Sequence, residues 1–119
     1  MQQFVVDCSA NLIESLPVEI FYKEIYYSAA LSGLFKSEEI AVRLRPFEFY
    51  DVGNRRKDFI HVFAYLIEGL TVVQKDDLSQ RIVTKLQGLF PQVDAISMSI
   101  FEIEEASFYK LPSLLRSKP

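Results

Sequence analysis

The feature that most constrains this chain is a strand–helix–strand pattern that occurs twice. Phe4-Val5-Val6 and Phe59-Ile60-His61-Val62-Phe63 begin two equivalent strands about 55 residues apart. Each start is followed by a helical pattern and then by a second strand, a spacing suited to a right-handed βαβ crossover. In the first unit, residues 7–11 are small polar types that end a strand and open a loop. A helix is expected from about Pro17 to Ser32, with Val18, Phe21, Ile25, Ala29 and Ser32 at helical spacing and Gly33 as a left-handed stop. Residues 40–50 alternate, with Ile40, Val42 and Leu44 facing one way and Ala41, Arg43, Arg45, Phe47 and Phe49 the other. Pro46 has no amide donor, so this strand belongs at an edge or a bulge. A turn at residues 51–57 carries Gly53-Asn54 at its tip, and its Arg55-Arg56-Lys57 run reads as a solvated loop.

The second unit repeats the design. Residues 58–68 alternate Ile60, Val62, Ala64 and Leu66 against Phe59, His61, Phe63, Tyr65 and Ile67, so both faces are apolar and both need cover. Thr71-Val72-Val73-Gln74 is a capping box opening a helix whose stripe is Leu78, Ile82, Val83, Leu86 and Leu89, closed near Gly88 and Pro91. Asp76 and Asp77 lie toward that helix's positive end. A last strand is expected over residues 96–104, then an irregular or briefly helical tail over 106–119. The whole is an α/β (α+β) chain of tandem βαβ units in one domain spanning residues 1–119: a four-stranded mixed sheet with two helices on one face. The other face would expose Phe47, Phe49, Phe63, Tyr65 and Phe101, too large and aromatic a patch for water, so the sheet is expected to pack on copies of itself.

Composition narrows the functional classes. A formal charge of −3 lacks the basic excess of a general nucleic-acid binder. No apolar run is long enough to cross a membrane, and Asp7 interrupts the one candidate for a secretory leader. The lone Cys8 makes no internal disulfide and fits a reducing cytoplasm, as a structural cysteine near a strand end. With one cysteine and one histidine the chain assembles no soft-ligand metal set. His61 reads as a packed, hydrogen-bonded histidine. Glu102 and Glu104, two apart on one strand face, read as ion-pair partners for Arg43 or Arg45 rather than as a glycosidase pair.

Four blocks in order and spacing resemble the 5-carboxymethyl-2-hydroxymuconate isomerases of the tautomerase superfamily. They are Phe4-Val5-Val6-Asp7-Cys8-Ser9-Ala10-Asn11, Arg43-Leu44-Arg45, Phe59-Ile60-His61 and Phe101-Glu102-Ile103-Glu104-Glu105, and the resemblance runs from residue 2 to about residue 110. It implies the doubled βαβ fold, a homotrimer with its sheets around a central axis, and cofactor-free proton transfer on small enol or keto acids. It also implies an N-terminal proline base and arginines that hold carboxylates. Gln2 stands at the base position, and an amide has no useful basicity. The bulk of glutamine should also keep Met1 in place. The Met1 amine is an alternative base, displaced by about 3.3 Å along the strand from where the proline nitrogen would be. Arg43 matches the arginine of the second strand, with Arg45 beside it on the same face, whereas Leu70 follows Gly69 where a further arginine is expected. Two readings follow: a protein that acts on or binds a small enol or keto carboxylate, or a non-catalytic trimer that has lost its base. Tyr26, Tyr27 and Tyr50 read either as walls of a pocket or as packing residues.

Overall fold

The structure, a computed structural model, describes residues 2–112. Strand β1 (Gln2–Ser9) is followed by helix α1 (Ala10–Ser15), helix α2 (Val18–Leu31), β2 (Ile40–Phe47), β3 (Phe59–Ile67), α3 (Val72–Leu89) and β4 (Ala95–Ile103). The four strands form one mixed sheet in the order β2-β1-β3-β4. β1 runs parallel to β2 and antiparallel to β3, and β3 runs parallel to β4. This is the expected pair of βαβ units, joined through their first strands.

Alternation along each strand divides the sheet into two faces. Phe4, Val6, Cys8, Ile60, Val62, Ala64 and Leu66 are buried on one face beneath Phe21, Ile25 and Ala29 of α2 and Leu78, Ile82 and Leu86 of α3. Ile40, Val42 and Leu44 of β2 and Ile96, Met98 and Ile100 of β4 extend this core. The tilted contact of Phe21 with Phe90, 5.3 Å between centroids, ties α2 to the end of α3. Thr71 caps α3 reciprocally with Gln74, as its sequence requires. Gly33, at φ +76°, ends α2 in the conformation that L-residues avoid. Lys85–Glu24 and Arg81–Asp77 ion pairs decorate the outer helix surfaces.

Several elements differ from the expectation, each for a local reason. The strand β1 continues through Ser9, because Cys8 and Ser9 are buried in the sheet and the Ser9 hydroxyl accepts the Phe59 N–H at 2.9 Å. The expected loop after it holds the short α1, anchored by buried Leu12. Pro17 is the N-cap of α2 rather than its first helical residue. β2 ends at Phe47, so Phe49 lies beyond the sheet and is 89% exposed. Gly88 lies within α3, which closes at Phe90. Asp76 and Asp77 sit beyond the first turn and bond Gln80 and Arg81 instead. Of the expected tail, residues 105–107 form one 3-10 turn, and 113–119 lie outside the described residues.

Candidate functional site

β1 is an interior strand, flanked by β2 and β3. Gln2 pairs with Ile40 of β2, is nearly buried, and accepts the Ile67 N–H through Oε1 at 3.0 Å. At the other end of β1, Ser9 does the same for Phe59. The two terminal side chains of β1 therefore hold the two ends of β3. Gln2 is committed to a backbone donor and has nothing to offer as a base. Met1 and its amine lie outside the described residues.

Arg43 and Arg45 stand on the open face of the sheet, with alternation turning them away from the helices. Arg45 donates through Nε to Asp7 at 2.6 Å and lies 5.7 Å from the centre of the Phe63 ring. Among the described residues Arg43 is exposed and has no ion-pair partner. By the same alternation the Gln2 side chain points to the helix side with Phe4 and Val6. One chain thus does not bring the base position and Arg43 onto the same face. Leu70 is half-buried and packs against the core, so it has become a hydrophobic residue in fact as well as in type.

Within one chain, the expected pairing of either arginine with Glu102 or Glu104 across the sheet is not formed. β2 and β4 are opposite edges of the sheet, about 15 Å apart at three strand spacings. Glu102 instead takes Lys75 of α3 on the helix side. His61 is hydrogen-bonded as its packed reading requires: Nδ1 meets the Ser97 Oγ at 2.6 Å and Nε2 meets the Ser99 Oγ at 3.1 Å. Burial lowers its pKa, and nearby Asp7 partly opposes that shift. Cys8 is buried against the helices, which pushes its thiol up to about 11, with Asp7 adding to the effect.

Cavities open to solvent flank α2. One, about 750 Å³, runs between α2 and α3 beside Tyr27, Leu31, Arg81 and Lys85, and neither Gln2 nor Arg43 lines it. Another, about 370 Å³, lies between α2 and β2, walled by Tyr22, Lys23, Tyr26, Tyr27, Ile40 and Val42. It reaches the sheet at Ile40, the register partner of Gln2, and gives Tyr26 and Tyr27 their place as pocket walls. Tyr50 is a packing residue, 4.9 Å from the Phe59 ring and bonded to Asp58. Lys23, missed in the sequence, is the cation of the smaller cavity; its position facing β2 depends on helix placement that spacing alone does not fix. Among the described residues no group of three or more His, Cys, Asp or Glu is placed to hold a metal, and no helix is long and apolar enough to cross a membrane.

Neither a family model nor a curated protein sequence matches the chain. Solved structures do. The chain resembles 5-carboxymethyl-2-hydroxymuconate delta-isomerase with a TM-score of 0.72 at 13% identity, covering 100% of this chain and 95% of that one. It resembles N1, a member of the cis-3-chloroacrylic acid dehalogenase family, with a TM-score of 0.79 at 15% identity, covering 91% of this chain and 79% of that one. A fused 4-OT described as a wild-type asymmetric trimer matches with a TM-score of 0.76 at 14% identity over 97% of both chains. At these identities the likeness is one of architecture, and the chain has a tautomerase-like fold.

Proposed function

We propose that this protein is a homotrimeric tautomerase-superfamily relative, similar to the 5-carboxymethyl-2-hydroxymuconate isomerases, that binds a small enol or keto carboxylate through Arg43 without efficient proton transfer. The observation that carries this reading is the fate of Gln2: its amide holds the Ile67 N–H, and its side chain lies across the sheet from Arg43. A general base has to lie within about 3 Å of the proton it takes and has to be basic, and the committed Gln2 amide is not. Of the two arginines on the open face of the sheet, Arg43 is the one without an ion-pair partner among the described residues, a planar and permanently charged fork suited to a carboxylate. Arg45 is already neutralised by Asp7, so its part is structural. Self-association is supported by the open aromatic face and by the trimer among the structures of like fold.

The test has two arms. Ketonisation of phenylenolpyruvate is expected to be weak or undetectable in the wild type. Gln2→Pro, which lets the cell remove Met1 and leaves a secondary amine at the end of β1, is expected to raise the rate by about 10²- to 10⁴-fold, the usual reach of a positioned base. Vigorous wild-type turnover that Gln2→Pro leaves unchanged refutes the lost-base reading. Calorimetry with a panel of dicarboxylates is expected to lose binding, by at least about tenfold in Kd, on Arg43→Ala. Equal affinities in the two proteins place the anion elsewhere.

A further inference from the structure

One row of the open face of the sheet is polar on all four strands. Register places Arg45, Asp7, His61 and Ser97 side by side across all four strands. The row before it is Arg43, Val5, Phe63 and Ser99, and the one before that is Ala41, Gln3, Tyr65 and Phe101. Aromatic contacts flank the polar row, with Phe63 lying 4.3 Å from the His61 ring and 6.2 Å from Phe101, and Phe47 lying 6.2 Å from Phe59. A row of this kind in the middle of a surface that needs cover sets the terms on which the surface is covered.

We infer that the row is a proton-sensitive clasp: copies of this chain cover the open face while His61 is neutral, and protonation of His61 loosens their association. The inference rests on the self-association proposed above and adds its regulation. With His61 neutral the row is closed on itself. Asp7 balances Arg45, the two serines meet both ring nitrogens, and among the described residues no buried side-chain nitrogen or oxygen lacks a partner. Covering such a row leaves little polar demand unmet.

Protonation changes charge without breaking the local hydrogen bonds, because a serine hydroxyl accepts from either ring nitrogen. The groups facing His61 decide the sign. β1 offers Asp7, already held by Arg45 at 2.6 Å. β2 offers Arg45 and, one row on, Arg43. β3 itself adds Tyr65, and β4 contributes Ser97, Ser99 and Phe101, none of them charged. The one charged side chain in direct register with His61 is therefore a carboxylate already held by Arg45, and desolvation outweighs its pull on the proton. Further burial on assembly deepens the desolvation that already lowers the His61 pKa in the single chain. A histidine whose pKa is depressed in the assembled state penalises that state once protonated. Association is complete above the His61 pKa of the single chain, itself below the ordinary histidine range, and is lost as pH falls below it.

Sedimentation velocity of the full chain at pH 7.5 and 5.5, at constant ionic strength, tests this. The wild type is expected to be an oligomer at pH 7.5 and to need at least about tenfold more protein for the same associated fraction at pH 5.5. His61→Asn, which keeps a polar amide in the row, is expected to associate equally at both pH values. His61→Arg is expected to associate poorly at both. A wild type equally associated at pH 7.5 and 5.5 overturns the inference and leaves the assembly standing, and so does a His61→Asn protein that still dissociates in acid. A wild-type monomer at pH 7.5 removes the assembly and the inference together. The wild-type profile requires no variant, so a failure of either substitution to fold leaves the test decisive.

Discussion

Cys8 shows how far burial alone sets the chemistry of a residue. It is fully buried on the helix-covered face of β1, in line with Phe4 and Val6, and loss of water raises its thiol pKa from 9.0 to about 11. Native protein at pH 8 is expected to resist iodoacetamide, with one equivalent taken up only after denaturation, as mass spectrometry would read directly. Rapid labelling of the native chain would contradict the buried placement. The same shift has a consequence for stability. The unfolded thiol ionises near 9.0 and the folded one near 11, so this contribution to stability is intact below pH 9 and is lost as pH rises through that interval. Gln2 is the counterpart at the start of the strand. It occupies the site where the resemblance expects a base, and its buried amide serves the backbone of β3.

The helices differ in how openly their sequences declare them. α3 is announced by its capping box, and removing the hydroxyl in Thr71→Ala is expected to cost about 1 kcal/mol by urea denaturation, with the slope of the transition unchanged. No loss of stability would mean that the Gln74 N–H finds water at no cost. α2 and α3, with their apolar stripes at helical spacing, were legible in outline, as were the four strands and the edge position that Pro46 demands of β2. α1 was not, because six residues make less than two turns and Ala10-Asn11 follows a serine, which also fits a turn. The site was less legible than the fold. That Arg45 meets Asp7 follows from the parallel register of β1 and β2, which is fixed by how the intervening helices pack and not by any local pattern. That Glu102 faces Lys75 follows from β4 lying at the far edge of the sheet.

At the scale of the whole molecule, the two faces of the sheet have unequal solutions. The helices bury the central strands on one face, while the other presents Phe101 stacked on Tyr65 at 5.4 Å and on Phe63 at 6.2 Å, with Phe101 46% exposed. On the proposed assembly this face meets its copies, which makes Phe101→Glu the sharper test than a change at Phe63. Glutamate at Phe63 would lie beside Arg45, 5.7 Å from that ring, and an ion pair there would mask the effect. At Phe101 the side chain is half in water already, so the lone chain loses little by carrying a charge. In the assembly the same carboxylate would be buried among aromatic rings with no described cation in its row, at a cost of several kcal/mol, about 3 or more. The expected outcome is a folded monomer, with circular dichroism unchanged and the sedimentation coefficient falling to that of one chain. Leu31→Glu, on the outer surface of α2 where the side chain is 76% exposed, should leave both readouts as they are. A Phe101→Glu protein that stays associated would mean that the copies meet through another surface, and the open aromatic face would then need a different partner.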